Sequence, residues 1–487
     1  MAGGTTLSVA ALSGLSWPLL ANAGIKEQFG IERQALRVKP ILVYSAPEYR
    51  HQSSWRSWGG IQTDENAREE LGRIKGELDK LQTAADFPVE FMPAAAIKGP
   101  GDVDGIADLD AADTLLVYAA GGWMDTFDAL HKSKKDMILF CRHKSGPVYL
   151  WYEIISPRFL RQHTDKLALS GVDEEDVVID NPDEILWRLR ALCGLKNTRN
   201  ATIMAIGGAG AWAQPRGVVP ALVEDKFQFG IKSLPYDALG KIIVDAKKDA
   251  AALKRARQRA AVYLEDSHLT LETDRSYLDN CFLLDEVFRK VMDQENCRAI
   301  TINGCMGTIM PLAETSACMT LSLLNDSVYL AFCESDFVVI PAGILLANIS
   351  GKPVFLNDPT YPHDGIITLA HCTAPRRMDG KKCEPARILT HFESDYGAAP
   401  KVEMQKGQVV TNIIPDFEVK HYVGLKGTII DNPFMDICRS QIDISFDADS
   451  QLLARRMPGF HWMTGYGDYM RETGYALKRL GIEWEQM

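Results

Sequence analysis

The sequence predicts an α/β protein: two successive α/β domains followed by a β-rich C-terminal domain. Three observations carry this. Short apolar runs alternate with helix-length amphipathic segments through most of the chain, the pattern of strand–helix units on a parallel sheet. The pattern restarts near Asn197, where an apolar run enters a glycine-rich turn. Beyond about residue 350 it gives way to alternating apolar and polar residues broken by Gly, Pro, Asn and Asp, which reads as a small antiparallel sheet or barrel.

Taken in order, Lys39-Pro40-Ile41-Leu42-Val43-Tyr44 reads as a buried strand. Asp64 to Thr83 carries a helical period. Thr114 to Tyr118, ending at Gly121-Gly122, and Met137 to Phe140 complete the first set of strands. The second set opens with Ala201 to Ile206, running into Gly207-Gly208-Ala209-Gly210. That turn lacks the GxGxxG spacing of a dinucleotide site and reads as a tight strand-to-loop turn. Gly240 to Glu265 reads as one long charged helix and Tyr277 to Gln294 as an amphipathic one. The strand Ala299 to Ile302, a helix around Thr315 to Leu324 and a strand around Val328 to Phe332 follow. In the last third, Val409 to Ile414, Phe417 to Tyr422 and Gln441 to Phe446 alternate as strands, and Tyr469 to Leu480 closes the chain as a helix. The expected organisation is a signal-like leader at 1–23, Rossmann-like α/β domains at 24–196 and 197–350, and an antiparallel, barrel-like domain at 351–487.

Composition narrows the partners. A formal net charge of -11 disfavours contact with nucleic-acid phosphates. No run resembles a transmembrane helix. The ten cysteines form no CxxC pair, and a chain of this length needs no staples, so buried reduced thiols are expected. Leu7 to Leu20 is apolar and precedes Ala21-Asn22-Ala23, an A-x-A cleavage pattern. It lacks a basic start. If it is a leader the protein is exported to the periplasm; otherwise it is cytoplasmic.

The richest polar chemistry lies in four short segments. Glu334 ends an apolar run in Ala331-Phe332-Cys333-Glu334-Ser335-Asp336. Asp358 ends another, in Pro353-Val354-Phe355-Leu356-Asn357-Asp358-Pro359. His371 closes Ile366-Ile367-Thr368-Leu369-Ala370-His371, and His461 lies in Gly459-Phe460-His461-Trp462. A carboxylate at the end of an apolar strand is costly to bury unless it is paired or bound to a cation. Two such acids with imidazoles suit a divalent ion of the Mn or Mg type. Taken singly, each residue also has a structural reading: Glu334 as a helix cap, Asp358 as a turn cap, His371 as a core histidine.

Together the segments resemble the L-fucose and L-arabinose isomerases. Cys333-Glu334-Ser335-Asp336 is similar to the E-G-D segment carrying that family's first catalytic glutamate. Phe355-Leu356-Asn357-Asp358-Pro359-Thr360-Tyr361 resembles the segment with its second acid. Leu369-Ala370-His371-Cys372-Thr373-Ala374-Pro375 resembles an H-C-T-x-P run, and His461 with Tyr466-Gly467-Asp468 resembles the C-terminal metal histidine. The resemblance runs from about Cys297 to the C-terminus and is looser before it. It implies Mn2+, or another divalent cation such as Mg2+, held by Glu334, Asp358 and His461. His371 is then a further ligand or a substrate contact. It also implies aldose–ketose isomerisation of a monosaccharide through a cis-enediol, with Glu334 and Asp358 as acid/base groups, in a homo-oligomer of three or six chains. Asn357, Arg376 and Trp462 are candidate sugar contacts. Ser335 replaces the usual glycine, Asn357 stands where the arabinose branch has a glutamate, and Phe460 stands where many relatives have a histidine. A related epimerase or lyase, or an exported sugar-binding protein without turnover, is the alternative.

Overall fold

A computed structural model describes residues 31–487 apart from 216 and 328; the segment expected to be a leader, 1–23, lies outside the described residues. The protein is mixed α/β, with two parallel sheets and a closed six-stranded antiparallel barrel. The first sheet contains β1 (Leu36–Val43), β2 (Val89–Phe91), β3 (Ala95–Ile97), β4 (Thr114–Ala119), β5 (Asp136–Cys141) and β6 (Val177–Ile179). Its order is β2-β1-β4-β5-β6, with β3 also on β1, and every pairing is parallel. The central strands β4 and β5 are almost wholly buried, as expected where helices cover both faces of a parallel sheet.

The second sheet is built from β7 (Thr202–Ile206) and β8 (Gly230–Leu234), and then, after β9 (Leu269–Leu271) has left to pair elsewhere, from β10 (Ala299–Ile302) and β11 (Leu330–Phe332). Its order is β11-β10-β7-β8, again all parallel. Each sheet thus places its first strand inside and its second outside. The expected single helix from Gly240 to Glu265 is two helices, Tyr236–Lys248 and Ala250–Tyr263. Asp249 breaks it: its backbone is extended and its side chain accepts from the Ala251 and Ala252 amides, an N-cap that starts the second helix afresh.

The remaining strands are β12 (Phe355–Pro359), β13 (Ile366–His371), β14 (Ala386–His391), β15 (Tyr396–Val402), β16 (Val409–Pro415), β17 (His421–Asp431), β18 (Ser440–Ser445), β19 (Trp462–Tyr466) and β20 (Glu483–Gln486). The barrel runs β16-β19-β12-β13-β18-β17 and closes through β16–β17, with β20 added on β17. The segment Phe417 to Tyr422, expected to be a strand, is mostly the turn between β16 and β17, where Lys420 N–H donates to Asp416. β14 pairs antiparallel with β15 and parallel with β9, tying the second α/β segment to the C-terminal one.

The helix Ile340–Ser350 holds these parts together. It is buried on nearly every side, as an apolar-all-round helix must be. Pro341 lies in its first turn and Gly351, at φ +69°, follows its end. It packs on the helix Asp183–Thr198 and on β19. Two glycines permit the approach to the barrel: a Cβ at Gly465 would stand 2.8 Å from Leu346, and one at Gly343 would stand 2.6 Å from Met463. The segment immediately before this helix is Cys333 to Val339, so its packing fixes where Glu334 sits. No helix among the described residues is long and apolar enough to cross a membrane.

Candidate metal centre

The carboxyl ends of β7, β10 and β11 meet the outer wall of the barrel. In open α/β sheets this edge is where ligands bind. The turn after β7 puts Gly207 and Gly208 at φ +74° and +94°, a conformation that favours glycine. Gly210 then bridges to Asp336 across the crevice, and Phe337 N–H donates to the Gly210 carbonyl at 3.1 Å. The turn after β11 is tighter still: Glu334 and Ser335 are both left-handed, at φ +65° and +51°. Such a conformation costs a non-glycine residue ~1–2 kcal/mol. Ser335 offsets the cost locally. Its N–H donates to Thr301 Oγ1 and its hydroxyl to the Gly208 carbonyl, each at 3.0 Å. This gives the serine a role that glycine could not fill.

Strand alternation delivers the second acid. Phe355 points into the barrel core, while Leu356 packs outward on the core shared with the α/β layers. Residues two apart share a face, so Asn357 turns inward and Asp358 outward, toward Glu334. Asn357 is buried and donates to the Phe355 carbonyl and to Thr464 Oγ1, each at 2.9 Å. The strand period thereby separates the two neighbouring candidates.

Four side chains converge in the crevice. His461 Nε2 lies 3.1 Å from Asp358 Oδ1 and 3.4 Å from Glu334 Oε2. His371 Nε2 lies 3.9 Å from Glu334 Oε1. One donor atom from each of Asp358, His371 and His461 lies within 4.8 Å of the others. His461 Nε2 and Asp358 Oδ1 are buried without a hydrogen-bond partner among the described residues. A donor set of carboxylates and imidazoles with facing, unpartnered polar atoms fits a divalent cation.

Asp336 orients the central imidazole. Its Oδ2 accepts from His461 Nδ1 at 2.6 Å, and its Oδ1 accepts from the Trp212 and Val338 amides at 3.1 Å. With Nδ1 donating to Asp336, Nε2 is the nitrogen that faces Asp358 and Glu334, the usual arrangement of a metal-bound histidine. Thr373 Oγ1 stands 3.0 Å from His371 Nδ1 and leaves its Nε2 toward Glu334 in the same way. The sequence pattern alone gives Asp336 no role, although it stands two residues after Glu334. The available signal was that a ligand histidine needs an orienting partner.

The charges fall into a consistent pattern. Burial pulls the His461 ring down, but Asp336, Asp358 and Glu334 outweigh it and push its pKa up to about 11. Burial pushes the Glu334 carboxyl up, but the His461 and His371 rings outweigh it and hold it below its ordinary value. Burial dominates at His371 and lowers its pKa, opposed by Asp358 and Glu334. Glu334 is therefore an ionised base, and its side chain is 36% exposed.

Three expected sugar contacts lie elsewhere. Asn357 faces the barrel interior, as described. Trp462 is fully buried in the barrel core, opposite Asn357 in the β12–β19 register, because alternation turns it away from the crevice. Arg376 is buried, with its guanidinium bonded to Asp266 at 2.7 Å and to the Glu384 carbonyl at 2.8 Å. It locks a loop and does not reach the cluster. An aromatic pair that the candidate set left out does border the cluster. Trp212 stacks on Phe460 with centroids 4.9 Å apart, and Phe460 meets His461 edge-on at 4.8 Å. Trp212 and Phe460 are 47% and 43% exposed.

Together these features define a mixed α/β protein with a carboxylate–imidazole cluster between a parallel sheet and a barrel. No protein-family model matches the chain, and no curated protein matches it.

Proposed function

We propose that this chain is a divalent-metal-dependent aldose–ketose isomerase of the L-fucose/L-arabinose isomerase-like type, built from two Rossmann-like α/β domains and a barrel. One observation carries the reading. Glu334, Asp358, His371 and His461, drawn from four separate segments, meet at the sheet's carboxyl edge with His461 oriented by Asp336. The strand orders of the two sheets support the doubly wound part of the reading.

Glu334, Asp358 and His461 would hold the cation, with His371 as a further ligand. When bound, Mn2+ or Mg2+ would supply electrophilic stabilisation for adjacent sugar oxygens. The chain's own groups do the rest. Glu334, ionised and partly open to solvent, takes the proton from C2 of the aldose and returns it to C1. The cis-enediol between these two steps gives the ketose. Asp336 keeps His461 Nε2 directed into the site throughout. The Trp212–Phe460 pair offers an apolar face to the C–H side of a sugar ring, while the carboxylates and imidazoles face its hydroxyls. A monosaccharide is the substrate class in this reading, and a trimer or hexamer is the expected assembly.

The test is a panel of aldopentoses and aldohexoses incubated with the Mn2+-loaded protein and followed by NMR in deuterated water. The proposal expects a ketose from at least one sugar, and its loss in Glu334→Gln with the circular dichroism spectrum preserved. A fully active Glu334→Gln would remove that residue from the mechanism. Epimer or dehydrated product in place of ketose would move the chain to a different reaction.

A further inference from the structure

We propose that Cys305, Cys333, Glu334 and His371 form a second, thiolate-bearing subsite for a divalent cation of the zinc class, joined to the first by Glu334. The Cys333 thiol, a Glu334 oxygen and a His371 nitrogen lie within 4.8 Å of one another. Cys305 stands outside this triad but beside one member of it, its Sγ 3.9 Å from Cys333 Sγ, so a turn of its side chain would bring in a fourth donor. Two thiolates bound at ~2.3 Å to one tetrahedral ion stand ~3.8 Å apart. The pair therefore has the spacing of two sulfurs that share an ion.

Glu334 divides its oxygens between the subsites. Oε1 is the atom nearest His371 Nε2, at 3.9 Å, and Oε2 is the atom nearest His461 Nε2, at 3.4 Å. A carboxylate placed this way bridges two ions, as carboxylates do in centres whose metals stand ~3.5–4 Å apart. The two donor sets differ in kind. Asp358 and His461 contribute oxygen and nitrogen, which suit Mn2+ or Mg2+. Cys305 and Cys333 contribute sulfur, which selects zinc-class ions over hard ones.

The subsite can also be reached, and one of its two sulfurs stands where a thiolate is favoured. Cys305 is half-buried, Met306 beside it is exposed, and Cys305 opens the helix Cys305–Ala313. The free amides of that first turn favour an anionic sulfur. Binding transfers the two thiol protons to solvent and oxidises nothing. The other close cysteines are a different case: Cys318, Cys372 and Cys438 pack with Ala399 in an apolar cluster. The inference shares Glu334 with the proposed active site and takes His371 Nε2 for the thiolate subsite when that ion is bound, which leaves Glu334, Asp358 and His461 for the first ion; it does not depend on isomerase activity.

The test uses Co2+ as the probe on the full chain, reduced and stripped of metal with a chelator. The subsite predicts a sulfur-to-cobalt charge-transfer absorption and a second equivalent of bound ion. Cys333→Ser and Cys305→Ser should each cut the band by about half or more and weaken that second equivalent, and the double variant should lose both. Asp358→Asn should keep the band and weaken the other equivalent. If Cys333→Ser does not fold, the half-exposed Cys305→Ser decides alone. Absence of the band, its undiminished intensity in Cys305→Ser, or a Cys305–Cys333 disulfide persisting under strong reductant would each overturn the proposal. Because the readout is spectroscopic, an inactive protein that shows the band refutes the isomerase reading and leaves this one standing.

Discussion

Replacing Asp336 by Asn changes one hydrogen bond and almost no volume. In the native protein Asp336 Oδ1 accepts from the Trp212 and Val338 amides, while Oδ2 accepts from His461 Nδ1 at 2.6 Å. An asparagine can keep its oxygen on the two amides, which leaves its NH2 group facing His461. The imidazole must then accept at Nδ1, so its proton moves to Nε2, the atom 3.1 Å from Asp358 and 3.4 Å from Glu334. The lone pair meant for the cation is lost. Removing such an orienting partner weakens metal binding by about 10–100-fold, or ~1.4–2.8 kcal/mol. Mn2+ affinity measured by calorimetry on Asp336→Asn, beside a folded control spectrum, reads this directly. Native affinity in the variant would refute the claim that Asp336 sets the His461 tautomer.

Four further predictions follow from the same geometry. In chelator-treated protein the folded-state pKa of His461, about 11, lies above its ordinary 6.5. Its contribution to stability is thus complete below ~6.5 and is lost as the pH rises through ~11; thermal melts from pH 7 to 10 should fall more steeply in the native chain than in His461→Gln. Because a cation must displace that proton, Mn2+ affinity should tighten about tenfold per pH unit between pH 6 and 8, and a flat profile would contradict the assignment. Ser335→Gly exchanges relief of the left-handed backbone for loss of the bond to Gly208, so urea melts should place it within ~1 kcal/mol of native; Ser335→Ala keeps the strain and loses the bond, and should cost ~1 kcal/mol. Trp212→Ala should raise KM for the sugar several-fold with kcat little changed, and an unaltered KM would remove the aromatic pair from the binding face.

Much of the site was legible because burying charge is expensive. Glu334 and Asp358 each end an apolar run, and His371 closes a third, so each needed a partner that the sequence did not otherwise provide. Proximity along the chain was the weaker guide. Arg376 follows His371 by five residues, yet its guanidinium binds Asp266, 110 positions upstream. Trp462 adjoins His461 and points the other way, because a strand alternates its faces. The alternating segments after residue 350 announced a barrel, but not its closure through β16–β17, a pairing set by register in space. The parallel pairing of β9 with β14 was equally hidden, since its partners are separated by more than a hundred residues. Asp249 shows the limit for helices: the charge pattern continues across it, and only the capping hydrogen bonds of its side chain show where one helix ends and the next begins.

The central claim is that one divalent cation is held where Glu334, Asp358 and His461 meet. The most direct test is anomalous diffraction at the manganese edge from crystals of the Mn2+-loaded protein. The account predicts a peak within ~2.0–2.6 Å of a Glu334 oxygen, an Asp358 oxygen and His461 Nε2. A peak bound by other residues, or no peak in the crevice at saturating Mn2+, would contradict it.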